Sequence, residues 1–347
     1  MSRGQNKRRI PVRNRRDFIA YLGAALLPPL AARAQPATQH RIAFVHSAIP
    51  AAQLTETAGP FWVRRFFETL RRLGLVEGRN LVVERFSAEG NAGRFAAVAA
   101  AVVRRSPDVI VANYNALVDA FKAATKTIPI VAIVADPIKS GLVDGLGRPG
   151  GNITGVSVDT GLEFYGKELE VLKEAVPGAT TVAFLASRAF WADGGPGSVI
   201  RNAGKELGIT VVGAFAFDEE VTEPQIRRVF GELPKQHVDA ALVSPEGNFL
   251  AQRALLVELA GKARLPVLYP YRDYVELGGL MAYAPDLGEL AERMADDVQR
   301  ILMGTKPGDI PIAQPTKIDL IINQKTASSV GLAIPSALLA RADEVIE

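Results

Sequence analysis

The chain has 347 residues, of which 48% are hydrophobic, 22% charged and 7% aromatic, with 31 Gly and 22 Pro. These are globular proportions that exclude wholesale disorder, collagen and coiled coil, and the length suits two domains. No Cys is present, and His40, His46 and His237 are the only histidines; this excludes a disulfide framework, Cys-ligated zinc, an iron–sulfur cluster and a cysteine nucleophile, and leaves no set for a multi-His metal site.

The formal charge of +3 points at first to nucleic acid. Its distribution removes that reading. Residues 1–34 hold eight basic residues and one acid, Asp17, whereas the remaining 313 carry 32 basic and 36 acidic residues, a net −4. The leading segment has the three parts of an export signal. A basic stretch ends in Arg15-Arg16, an apolar run from Phe18 to Leu30 follows, and Ala32-Arg33-Ala34 precedes Gln35. The run, about 13 residues, is too short to span a bilayer. Residues 1–34 therefore read as a signal peptide cleaved after Ala34, which places the protein in the periplasm; a disordered basic arm is the alternative. No cofactor and no nucleic acid are expected.

Beyond it, short Val- and Ile-rich runs alternate with amphipathic stretches. Strands are predicted at 41–46, 80–86, 108–112 and 128–135, with helices at 61–73, 92–105 and 116–127. The first helix has apolar residues at 62, 63, 66, 67, 70 and 73, which is helical spacing. After a Gly-rich stretch from Gly141 to Gly151 the rhythm restarts. Strands follow at 153–158, 181–186, 209–215, 240–244, 266–269 and 280–283, with helices at 162–176, 197–207, 222–233, 250–263 and 287–303. A Pro-rich connection over 304–315 leads to a strand at 318–323 and a closing helix from Ile334 to Val345. Nearly continuous apolar strands with intervening helices predict two doubly wound parallel sheets. A chain that adds late pieces to both lobes must cross between them more than once, which makes a hinge.

Three motifs fail on context. Gly145-Leu-Gly147-Arg-Pro-Gly150 matches a dinucleotide loop, but it leads into a strand rather than a helix. Gly161 to Lys167 nearly matches a phosphate loop, but Glu168 stands where a metal-binding hydroxyl belongs. Ser47 adjoins His46, but neighbours on a strand face opposite ways, so no Ser-His relay forms.

Ligands of doubly wound sheets bind at the carboxyl ends of the strands. His46 and Ser47 fall there, as do Asn113, Tyr114 and Asn115 before a helix start, then Asp136, and Ser157 with Asp159. In the second half Ser187, Phe190 and Trp191, Pro245 and Glu246, and Tyr271 with Asp273 are so placed. A helix N-terminus near acids and aromatic rings suits a zwitterion with an apolar part. Most strand-end polar residues in any such fold are caps and turns, which is the plain alternative for each.

Several stretches carry a resemblance over essentially the whole chain. They are Arg15-Arg16-Asp17-Phe18-Ile19 with Ala31 to Gln35, Gly74 to Asn80, and Asp136 to Val143 with Arg148-Pro-Gly-Gly-Asn-Ile-Thr-Gly155. Gln314 to Lys317 with Ile321 to Asn323, and Ile334 to Ile346, complete them. Together they resemble exported substrate-binding proteins of ABC transporters, in the group that includes tryptophan/tyrosine-type binding proteins; the first stretch is similar to a twin-arginine export motif. The resemblance implies an α/β type I periplasmic-binding fold, its two doubly wound parallel-sheet lobes joined by a multi-crossover hinge. The first lobe would take 41–154 plus 285–312, and the second 155–284 plus 313–347. It implies a monomer that binds a small solute, an amino acid or related carboxylate, and hands it to permease subunits, touching the membrane only through them. The expected ligand contacts are Ser47, Asn113, Tyr114, Asn115, Asp136, Asp159, Ser187, Phe190, Glu246 and Tyr271. No catalysis is expected. A sensory binding protein and an exported enzyme are the alternatives.

Overall fold

A computed structural model describes Met1 and residues 39–213 and 221–347. The expected export signal, with its twin arginines and its cleavage after Ala34, lies outside the described residues. The predicted strands are found, their ends shifted by at most two residues; the last two residues of the strand expected at 209–215 lie outside the described residues.

The first sheet is built from β1 (His40–His46), β2 (Leu81–Ser87), β3 (Val109–Asn113), β4 (Ile130–Val134) and β5 (Ile153–Ser157). All its ladders are parallel, in the order β2-β1-β3-β4-β5. The apolar run of β1 explains its interior place between β2 and β3, because both faces need cover. Ile42 and Phe44 join one core cluster, and Ala43 and Val45 join another. Helix α1 (Phe61–Arg72) covers the first face, and α2 (Phe95–Arg104) and α3 (Asn115–Ala124) cover the second. The expected boundary between residues 154 and 155 falls inside β5, all of which pairs with β4.

Helix α4 (Phe164–Ala175) opens the second set, followed by β6 (Thr181–Leu185), α5 (Arg188–Trp191), α6 (Pro196–Glu206) and β7 (Thr210–Gly213). Then come α7 (Glu223–Glu232), β8 (Ala240–Val243), α8 (Gly247–Ala251), α9 (Arg253–Ala263), β9 (Val267–Tyr269), α10 (Arg272–Glu276) and β10 (Met281–Pro285). The single helix expected over 250–263 is interrupted at Gln252, which has φ −98° and ψ 15°. Helix α11 (Leu287–Leu302) returns to the first lobe and packs along α1, where Gln299 donates to the Leu73 carbonyl at 2.9 Å.

The chain then crosses again to β11 (Ile318–Asn323), α12 (Gln324–Val330), α13 (Ser336–Leu339) and β12 (Glu344–Ile346). The second sheet runs β12-β11-β10-β9-β8-β6-β7, parallel throughout except between β10 and β11. The closing helix expected from Ile334 to Val345 is corrected: four residues are helical, and 344–346 form an edge strand. Asp343 makes the difference. Its N–H donates to the Leu320 carbonyl at 2.8 Å and its Oδ2 accepts from Leu320 N at 2.9 Å, which turns the chain into the sheet.

Three connections thus join the lobes: 158–163, Asp286 and the run 303–317. The last is fixed to the first sheet before it leaves. Ser157 N donates to the Ala313 carbonyl at 2.7 Å, and Thr154 Oγ1 to the Ile310 carbonyl at 2.8 Å. The fold is the expected pair of doubly wound α/β lobes on a multi-crossover hinge.

Candidate functional site

In each sheet the direction of winding reverses at one place, between β1 and β3 in the first and between β6 and β8 in the second. The crevice outside the strand ends at such a switch point is where open α/β sheets take ligands. A hydrogen-bonded pair of predicted residues stands at each. Ser47 N donates to Asn113 Oδ1 at 2.8 Å, and Asn113 Nδ2 donates to Ser47 Oγ at 3.1 Å. Ser187 N donates to Glu246 Oε2 at 2.9 Å, and Ser244 Oγ donates to the same oxygen at 2.7 Å.

The two pairs meet across the cleft. A Cβ placed on Gly247 would lie 3.4 Å from Ser47 Oγ, and one on Gly90 would lie 3.3 Å from Asn248 Oδ1. Gly247 thus brings the backbone beside Glu246 close to the first lobe.

His46 sits beneath the first pair, 1% exposed and stacked on Trp62 at 6.0 Å. Its Nδ1 accepts from Ala48 N at 3.0 Å and Ile49 N at 2.9 Å. Nδ1 therefore carries no proton, and Nε2 bears it. Burial, and then the charge of Arg253, push its pKa down to about 3, so the ring is neutral. Because Asn113 Oδ1 is committed to Ser47, Asn113 Nδ2 faces His46 Nε2 at 3.3 Å as donor toward donor.

Two predicted residues occupy backbone conformations unusual for side-chain-bearing residues. Tyr114 has φ 70° and Asp136 has φ 30°, each just past a first-sheet strand. Such strain costs about 1–3 kcal/mol and clusters at functional sites. Tyr114 is 49% exposed, with its ring edge-on to Phe95 at 6.0 Å. Asp136 Oδ1 accepts from Lys139 N at 3.0 Å. Asn115 ties this rim together: its Nδ2 donates to the Ala135 carbonyl at 2.5 Å and its Oδ1 accepts from Ala135 N at 3.0 Å.

The other predicted residues divide between cleft wall and local turns. Asp159 N donates to Ser157 Oγ at 3.1 Å, and Asp159 Oδ1 accepts from Gly161 N at 3.0 Å, which shapes the first connection of the hinge. Tyr271 donates to the Pro245 carbonyl at 2.8 Å, beside Glu246. Phe190 lies edge-on to Tyr165 at 6.3 Å, whereas Trp191 turns away under Arg201, 4.4 Å from its ring centre.

Three groups are not among the ligand contacts expected from the sequence, although Asp273 falls at a strand end. Arg253 starts α9 and acts electrostatically on His46, Asp273 and Tyr274; its signal was hidden inside an unbroken predicted helix. Asp273 accepts the Phe61 N–H across the lobes at 2.6 Å. Glu168 is 4% exposed in α4. A charged residue at a buried position of an amphipathic helix was the available signal for Glu168.

A second concavity, about 350 Å³, lies along the hinge and is lined by Arg65, Arg272, Asp286, Glu292, Lys317 and Glu344 among others. Its charges are partnered. Arg272 pairs with Glu344 at 2.6 Å, Arg65 with Glu292 at 3.2 Å, Lys317 with Asp319 and Asp343, and Asp286 caps α11. Among the described residues no helix is long and apolar enough to cross a membrane, and no cluster of three or more His, Asp or Glu is arranged for a metal ion.

The architecture and sequence are similar to those of known proteins. A conserved domain protein from Vibrio cholerae has a TM-score of 0.73 and 26% identity, covering 88% of this chain and 99% of its own. The ABC domain of Streptococcus pneumonia, solved in complex with L-Trp, has a TM-score of 0.72 and 23% identity, covering 89% and 100%. A tyrosine-binding protein of Clostridioides difficile (strain R20291) is 23% identical over 273 residues, or 78% of this chain and 77% of the relative. The family described as ABC transporter substrate binding protein matches residues 61–346, and the chain belongs to that family.

Proposed function

We propose that the protein captures a small amino acid, with an aromatic or otherwise apolar side chain, between its two switch points and delivers it to an ABC permease. The carrying observation is that Gly247, next to Glu246 at one switch point, comes into contact range of Ser47 at the other, which supports one small solute bridging the two. His46 Nε2–H and Asn113 Nδ2–H, two donors left facing one another, provide a place for an acceptor oxygen such as a carboxylate. The nearby positive charge of Arg253 favours the same group. Tyr271 and Phe190 offer ring faces, with Tyr114 and Asp136 on the rim. The names of the relatives, one bound to L-Trp and one called tyrosine-binding, support this ligand class.

In this reading residues 1–34 are an export signal cleaved after Ala34, and the mature protein works in the periplasm as a monomer. Its task is binding without turnover. Closure about the three-stranded hinge would follow from tighter contacts in the shut form.

The test is a thermal-shift screen of amino acids and their analogues. A ligand at about 100 times its dissociation constant adds about 2.7 kcal/mol. Asn113→Ala and Asp136→Ala should each weaken binding of the hit. Unchanged affinity in both variants would sink this assignment of the site.

A further inference from the structure

Glu168 occupies the second turn of α4, which packs on β8 and β9. It is 4% exposed, and among the described residues it has no hydrogen bond or ion pair. Desolvation alone holds its carboxyl well above the usual carboxylate range, since no Lys, Arg or His offsets it. Its electrostatic neighbours are Tyr165, one helical turn earlier, and Tyr271 at the end of β9. The Tyr271 hydroxyl is already spent on the Pro245 carbonyl. The Tyr165 hydroxyl has no hydrogen bond among the described residues and feels Asp159 and Glu246 as well.

A buried acid without a partner is an expensive feature to keep in a folded lobe. Here it lies beside strand-end residues of the cleft, and every charged group that acts on Tyr165 is an acid. The part of the cleft around His46 and Asn113 has the opposite character, with N–H donors and the charge of Arg253 acting on them from α9 of the second lobe. The cleft is therefore polarised, with a place for a negative oxygen on one side and an uncompensated acid on the other.

We propose that Glu168, flanked by Tyr165, is the cation-recognising group of the cleft: it takes the ammonium of an α-amino acid and makes the protein reject the same molecule without its amine. This rests on the amino-acid reading above. When the ammonium docks, an ion pair with Glu168 replaces a buried acid that has no partner. Tyr165 turns its hydroxyl oxygen to the same ammonium.

Titration calorimetry decides the matter. The probes are L-tryptophan and L-tyrosine, together with 3-indolepropionate and 3-(4-hydroxyphenyl)propionate, their amine-free counterparts. The native protein should prefer an amino acid to its counterpart by about 100-fold. Glu168→Gln should shrink the preference to about threefold. Tyr165→Phe should lower the preference by about tenfold, which provides a second reading if Glu168→Gln folds poorly. A Glu168→Gln protein that still discriminates about 100-fold overturns the inference and leaves the amino-acid reading intact. A native protein that binds none of the four probes overturns both.

Discussion

Asp273 reaches across the lobes to accept the backbone N–H of Phe61 at 2.6 Å, at the first turn of α1. It is 5% exposed, and burial raises its pKa above the ordinary aspartate range, with the Phe61 N–H opposing. Around this bond Arg64 pairs with Glu276 at 2.5 Å, and the Arg272 guanidinium lies 4.9 Å from the centre of the Phe61 ring. These contacts hold the lobes together on one flank, apart from anything a solute adds. A hydrogen bond to a carboxylate contributes about 1.5–3 kcal/mol. Asp273→Ala should therefore shift the unliganded protein toward a more open form and weaken ligand affinity about 10- to 100-fold. X-ray scattering of the free protein and a titration of the ligand check both effects.

Two buried groups give stability opposite dependences on pH. His46 has a folded pKa of about 3 against 6.5 when unfolded, so the unfolded chain binds the extra proton between those values. Stability from this group is full above pH 6.5 and falls as pH drops toward 3, by on the order of 4 kcal/mol. Asp297 on α11 is fully buried, and desolvation lifts its pKa to about 7 from 3.8. There the folded chain holds the extra proton, so stability falls as pH rises from 4 to 7, by about 3–4 kcal/mol. Over pH 4–6.5 the two nearly cancel. Relative to the native protein, Asp297→Asn should shift the slope of stability against pH upward across that window, and His46→Asn should shift it downward. Urea melts at half-unit pH steps measure the slopes.

Gly155 in the middle of β5 has φ +129°, and a Cβ there would lie 2.1 Å from the Ala132 carbonyl oxygen and 2.5 Å from its nitrogen. No side-chain rotation relieves a clash with backbone. Gly155→Ala should force β4 and β5 apart and destabilise the first lobe by more than about 4 kcal/mol, as seen in the loss of cooperative thermal unfolding. Gly151→Ala, at φ +60° with open space around it, should cost about 1–2 kcal/mol.

Arg253→Ala removes the cation nearest His46. His46 should then titrate above 3 but still below 6.5, because burial is the larger cause of its depression. Nuclear magnetic resonance of the ring protons reads this directly. The same variant should bind a carboxylate ligand at least tenfold more weakly.

The strands were legible because parallel strands buried on both faces are written as apolar runs, as in Ile130 to Val134, all of them buried. The long helices were legible from their apolar spacing. The short helix at Arg272–Glu276 and the break at Gln252 were not, since a few residues carry no period. The closing strand was hidden because Glu344–Ile346 follows a helix-like run, and only the tertiary bonds of Asp343 to Leu320 redirect it. Site residues placed immediately after strands, such as Ser47, Asn113, Ser187 and Glu246, could be named from the fold rule alone. Glu168, Arg253 and the Asp273–Phe61 bond could not. Their roles depend on which helix face meets which strand end, and on contacts between segments about 200 residues apart.

The order of segments in the two sheets sets a schedule for how the molecule can be made. Helix α11, which covers the first lobe's sheet, leaves the ribosome only after most of the second lobe. The second sheet still waits for β11 and for β12, which come later in the chain. Until then β10 stands as an open edge, able to pair with other chains. The first lobe is thus completed only after most of the second has been made, so a chain stalled before α11 yields two incomplete halves rather than one sound domain.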